Sequence, residues 1–101
     1  VTNPLAPKLT EITNDVLFGD VWERPGLSKR DRSLITVASL VSLYRIEQLP
    51  FHLNRAMENG LSRDEIVEAI THLAFYAGWP AAVTALSRLE EVLADGETSS
   101  P

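Results

Sequence analysis

The sequence predicts an all-α fold, a compact bundle of about five helices. Three observations predict it. Apolar residues recur with the 3.6-residue period of a helix, and no segment shows the period-two alternation of a half-buried strand. Two capping signatures, Ser28 with Asp31 and Ser62 with Glu65, each stand before an apolar run. Glycine and proline punctuate the chain at intervals that leave only short connections. A length of 101 residues suits one domain. Its ordered core is expected over about 8–95, with a small polar tail over 96–101.

Residues 1–7 carry two prolines and read as an extended lead-in; the start at Val1 without an initiator methionine reads as a processed end. A first helix is predicted over 8–18, with Leu9, Ile12, Val16 and Leu17 as its apolar stripe. Gly19, Pro25 and Gly26 mark a loop that carries Trp22. The second helix starts at the Ser28 cap and continues through Leu43, apolar on nearly every side. One small protomer cannot bury such a helix alone, so subunit contacts are expected. Residues 44–47 read as a break, and a third helix over 48–58 tolerates Pro50 in its first turn, where the N–H groups lack partners anyway. Asn59 and Gly60 stop it. The fourth helix runs from Ser62 to about residue 76 on Ile66, Ala69, Ile70, Leu73 and Ala74. Gly78 ends it, and Pro80 opens a fifth helix that reaches about residue 94 along Val83, Leu86, Leu89 and Leu93.

Composition excludes several function classes. Nine basic residues against fourteen acidic ones give a net charge of -5, which argues against nucleic-acid binding and against a basic membrane-surface helix. An anionic small molecule stays compatible, because two local arginines outweigh the overall field. The chain has no cysteine, so disulfides and thiolate chemistry are excluded. Two histidines cannot make a multi-histidine metal site in one subunit, though carboxylates could assist. No apolar run reaches the length of a membrane span, and no secretory leader pattern opens the chain; the expected location is the cytoplasm.

Four residues are candidates for chemistry. His52, early in the third helix, titrates near neutrality and can give or take a proton; its ordinary role would be packing with one backbone hydrogen bond. Glu47 lies five residues earlier, a rotation of roughly 140° on a continuous helix, so the two converge only through the break or a second subunit. Arg45, beside the end of the second helix, and Arg32 within it are candidate carboxylate ligands; the ordinary reading pairs Arg30 and Arg32 with Asp31, Glu23 or Asp20. Glu65, Glu68, His72 and Tyr76 form a polar ladder at helical spacing, read as an interface rim before a catalytic face. Trp22 and Trp79 stand at loop or helix ends, where large aromatics seal a core, an interface or a pocket.

Three segments in order, FGDVWERPGLSKRDRSLI (18–35), EQLPFHLNRAMENGLSRDEI (47–66) and HLAFYAGWPAA (72–82), resemble the carboxymuconolactone decarboxylase-like family, over about 9–94. The resemblance implies an all-helical fold of the alkyl hydroperoxidase D type, assembly into homotrimers or homohexamers, and sites near subunit boundaries. Peroxidase members act through a Cys-x-x-Cys pair, which this chain lacks. The decarboxylase of the family converts 4-carboxymuconolactone to 3-oxoadipate enol-lactone and carbon dioxide, in the β-ketoadipate pathway of aromatic catabolism, and the resemblance implies that no metal or organic cofactor takes part. By resemblance, His52 would transfer the proton, Glu47 would fall in the acidic segment within one position, and Arg45 and Arg32 would hold substrate carboxylates. The chain is short at its N-terminus for that enzyme, and HLAFYAGWP is closer to generic relatives. Two functions follow: a cofactor-free lyase for a small anionic lactone, or a non-catalytic oligomeric binding or scaffold subunit.

Overall fold

The computed structural model describes residues 3–99, and these contain five α-helices and no strand. In order they are α1 (Pro7–Ile12), α2 (Lys29–Ser42), α3 (Leu49–Glu58), α4 (Arg63–Ala77) and α5 (Trp79–Ser99). A π-helical segment, Thr13–Phe18, continues α1, and a 3-10 turn, Val21–Glu23, leads toward α2.

Helices α2 to α5 form the body. α2 and α5 each pack against the other three, so they make its centre. The core joins Val37 and Val41 of α2, Leu49, Leu53 and Ala56 of α3, Ile66 and Ile70 of α4, and Ala81, Ala82, Ala85, Leu89 and Val92 of α5. The three alanines of α5 keep its surface low, which lets a neighbouring axis approach closely. Ser33 is the buried polar exception, and Asn59 satisfies it by donating from Nδ2 to its Oγ at 2.9 Å.

The helix ends follow from local chemistry. Ser28 Oγ accepts from the Asp31 N–H at 3.0 Å. Ser62 and Glu65 form a complete reciprocal box: Ser62 Oγ accepts from the Glu65 N–H at 3.1 Å and the Glu65 carboxylate accepts from the Ser62 N–H at 2.9 Å. That backbone donor, with help from Arg30, holds the Glu65 carboxyl below its ordinary range. After α3, the Leu61 N–H bonds to the Ala56 carbonyl and the Gly60 N–H to that of Met57, with Gly60 at φ 107°. This double bond pattern closes a helix over a positive-φ residue, a position that favours glycine.

The N-terminal part departs from expectation. The helix over 8–18 exists, but as six α-helical residues followed by a π-helical turn. Its stripe of Leu9, Ile12, Val16 and Leu17 is exposed in the protomer. At the other end, α5 runs through Ser99 instead of stopping near residue 94, with no proline in that stretch to break it. The last two positions of the anticipated tail, and the first two of the lead-in, lie outside the described residues.

Leu53→Ala opens a void at a fully buried position and is expected to cost about 2–5 kcal/mol in denaturant unfolding. Ser62→Ala removes one side of the box and should cost about 1 kcal/mol.

Candidate active site

The buried seam of Leu49, Leu53 and Ala56 sets the rotation of α3. With the seam turned into the core, His52, Arg55 and Asn59 follow one another at helical spacing on the flank toward α2. Pro50 falls on the other flank, where it shares a cleft with Ile46, Glu47 and Arg88. His52 and Glu47 therefore diverge to opposite sides of α3 within one protomer.

His52 is half-buried, with the Phe51 ring edge-on at 5.0 Å and an interplanar angle of 86°. No protein group among the described residues hydrogen-bonds its imidazole. Burial, and then the positive charge of Arg55, hold its pKa below the ordinary 6.5. The result is a neutral imidazole at physiological pH, with both ring nitrogens free for a ligand or water.

Arg45 and Glu47 come together. Both line an open groove of about 600 Å³ with Leu40, Tyr44 and Gln48, in the break between α2 and α3. Tyr44 ends α2 by the same double hydrogen-bond pattern that ends α3: the Tyr44 N–H bonds to the Val41 carbonyl and the Arg45 N–H to that of Leu40. Yet Tyr44 has φ 57°, where a bulky side chain is strained by about 1–2 kcal/mol. Its hydroxyl is 3.2 Å from that of Thr84, which anchors the strained turn to α5. Strain of this kind concentrates at functional sites. Sequence reasoning marked the break here but gave Tyr44 no role; a tyrosine directly after an apolar helix, where a glycine would close the turn, was the available signal.

Arg32 lies apart from both. Its terminal nitrogen donates to the Arg24 carbonyl at 3.1 Å, so the expected pairing with an acid does not form. Its Nε is buried without a partner. Beside it, Leu17, Trp22 and Leu27 line a small cleft of about 220 Å³. Two of the three acids that were candidates for Arg32 pair elsewhere: Glu23 with Lys29 at 2.7 Å, and Asp31 with Arg30 at 3.2 Å.

Arg55 is the residue the sequence reading missed. It is three residues after His52, and that spacing alone puts the two on one helix face. Its guanidinium carbon stands 4.9 Å from the ring centre of Phe18, 5.8 Å from Phe51 and 5.9 Å from Trp22. Among the described residues no carboxylate pairs with it.

The polar ladder of α4 faces outward. Arg30 pairs with Glu65, and His72 stacks on Tyr76 at 4.8 Å. An apolar groove of about 520 Å³ runs between this ladder and Leu34 and Ala38 of α2. Trp22 is buried and seals the body, whereas Trp79 is 63% exposed, edge-on to an exposed Phe75 at 5.7 Å. Among the described residues no group of three or more histidines or carboxylates could hold a metal ion, and no helix is long and apolar enough to cross a membrane.

The carboxymuconolactone decarboxylase family model matches residues 7–91, which takes in α2 to α4, the first part of α5 and every candidate residue. The chain belongs to this family. It is 45% identical over 78 residues to 4-carboxymuconolactone decarboxylase of Acinetobacter baylyi, an alignment covering 77% of this chain and 58% of that protein. It is 33% identical over 85 residues to nitrosuccinic acid decarboxylase of Metarhizium robertsii, covering 84% of this chain and 59% of that one. The chain thus spans a little under three fifths of the length of these two relatives. Within a carboxymuconolactone decarboxylase-type fold, helix phase and the α2–α3 break supply two distinct candidate surfaces: the His52–Arg55 flank and the Arg45–Glu47 groove.

The depressed pKa of His52 has a thermodynamic consequence. Between the folded value and 6.5 the unfolded chain binds more protons, so stability rises with pH. The contribution is complete above 6.5 and is lost as pH falls through the folded value. In thermal melts across about pH 5 to 8, wild type should lose stability relative to His52→Gln as pH falls, because only wild type acquires the buried charge.

Proposed function

We propose that this chain is a subunit of a cofactor-free carboxy-lyase acting on a small anionic substrate, a carboxylated lactone or a related dicarboxylate, in the catabolism of aromatic compounds. One observation carries the reading. The half-buried His52, kept neutral and without a hydrogen-bond partner among the described residues, stands beside cationic Arg55 in the segment where the family resemblance puts its histidine. The names of two relatives, both decarboxylases, support the reaction class.

The chemistry sets clear demands. The bond from carbon to the departing carboxylate breaks, carbon dioxide leaves, and the electron pair stays on carbon, spread onto a conjugated carbonyl or nitro group. A proton must then form the new C–H bond. Arginines orient the carboxylates, with Arg45 and Arg32 in that role, and their charge stabilises the anion as it develops. An anion bound beside His52 raises its proton affinity, so the imidazole takes a proton from solvent and delivers it to carbon. Glu47 would complete the site in the acidic position that the family resemblance assigns.

Glu47 and His52 are on opposite flanks of α3, so one site holding both draws them from two copies of the chain. The outward apolar positions support an assembly. Ile35 of α2, Leu43 at its C-cap, Phe75 of α4 and Val83 of α5 are all exposed in the protomer. A homotrimer or homohexamer would cover them. In light scattering coupled to size exclusion, wild type is expected as an oligomer and Leu43→Glu as a smaller species, since a charge on a covered apolar face goes unpaired.

The same separation favours a second reading, a non-catalytic oligomeric ligand-binding subunit. Carbon dioxide release from 4-carboxymuconolactone and from nitrosuccinate distinguishes the two. Turnover by wild type with kcat reduced about 100- to 10,000-fold in His52→Ala is the expected result. No turnover on either substrate by an intact oligomer would leave the binding subunit.

A further inference from the structure

We propose that Arg55, held in a cage formed by Phe18, Trp22 and Phe51, is the anchor for a substrate carboxylate beside His52. The inference rests on the carboxy-lyase reading and deepens it by naming a binding residue and the substrate group that it takes.

The argument begins with what the cage does and leaves undone. Three rings stand within 6 Å of the guanidinium carbon, which lies over each of them, where the negative face of the aromatic quadrupole attracts a cation. This compensates Arg55 for its partial burial without using its N–H donors, which lie in the guanidinium plane. Among the described residues no carboxylate or carbonyl accepts from those donors, whereas Arg30 and Arg88 each pair with an acid and Arg32 bonds a carbonyl. Arg55 is thus an ordered cation with an unused hydrogen-bonding fork. A fork of this shape matches a carboxylate with two parallel bonds.

The surroundings fit the rest of the ligand. Phe51 touches both His52 and Arg55, so an acid group on Arg55 leaves the carbon next to it within the neighbourhood of the imidazole. Aromatic rings beside the cation suit a flat conjugated substrate. Trp22 has Arg55 over its ring and also lines the cleft of Arg32, so the second carboxylate of a dianion has a second cation in the same region. A rigid cage also lowers the entropy cost of binding, because the side chain is ordered before the ligand arrives.

The alternative is that Arg55 only staples the N-terminal segment to α3. Succinate, a dicarboxylate that does not depend on turnover, separates the two roles. Calorimetric titration of the assembled protein with succinate is expected to give binding that weakens about 10- to 100-fold in Arg55→Gln. Arg55→Lys keeps a cation in the cage and preserves the fold but lacks the fork, and should lose about tenfold. Succinate should also raise the His52 pKa, followed by NMR, in wild type and much less in Arg55→Gln, a readout that a staple would not move. Absence of succinate binding by wild type, or equal affinity in all three proteins, would overturn the proposal. In turnover assays, an unchanged KM in Arg55→Gln beside a His52→Ala loss would sink the anchor and leave the carboxy-lyase standing. Succinate binding that depends on Arg55 without any turnover would do the reverse.

Discussion

Burial of Leu49, Leu53 and Ala56 against α2 and α5 fixes the rotation of α3, and that rotation distributes the candidate chemistry of the whole protein. A helix has no freedom to turn once its seam is packed at interior density. His52 and Arg55 are thereby committed to the flank facing α2 and the aromatic strap. Pro50, and the break that carries Glu47, are committed to the flank facing α5. The core is thus the reason that two acid–base candidates only five residues apart occupy separate surfaces.

The strap before α2 is the other half of this arrangement. Its α-helical and π-helical turns bury almost nothing of their own, and the buried Trp22 is what ties them to the body. Phe18 and Trp22 come to Arg55 only because the chain folds back over α3. A cation that would be costly to bury half-way is compensated by rings and not by an acid. Its field then acts on His52, so the packing of an N-terminal segment is linked electrostatically to the protonation of a side chain on α3.

Much of the fold was legible because its signals are local. Ser28, Ser62 with Glu65, Asn59 with Gly60, and Gly78 punctuate the chain through hydrogen bonds to backbone only a few residues away. The candidate site was legible only in part. His52 and Glu47 could be chosen by residue type and motif. The Arg55 cage was not visible, because Phe18 and Trp22 precede it by more than thirty positions and nothing in their spacing foretells the contact. Tyr44 was hidden for a different reason: its positive φ depends on how α2 is closed and on Thr84, forty residues away. The exposed stripe of the first helix looked like a core face because periodicity reports amphipathicity and not its partner.

The sequence by itself determined the helical class, where the helices of the body begin, the family and the exclusion of thiol chemistry, since each rests on periodicity, on caps or on residue identity. Tertiary structure alone decided which side chains share a surface. Arg45 with Glu47, Arg55 with His52, and Arg32 with Trp22 are groupings set by the phase of packed helices and the path of the strap. Those depend on contacts between segments far apart in the chain, and a periodic pattern carries no information about which apolar face meets which.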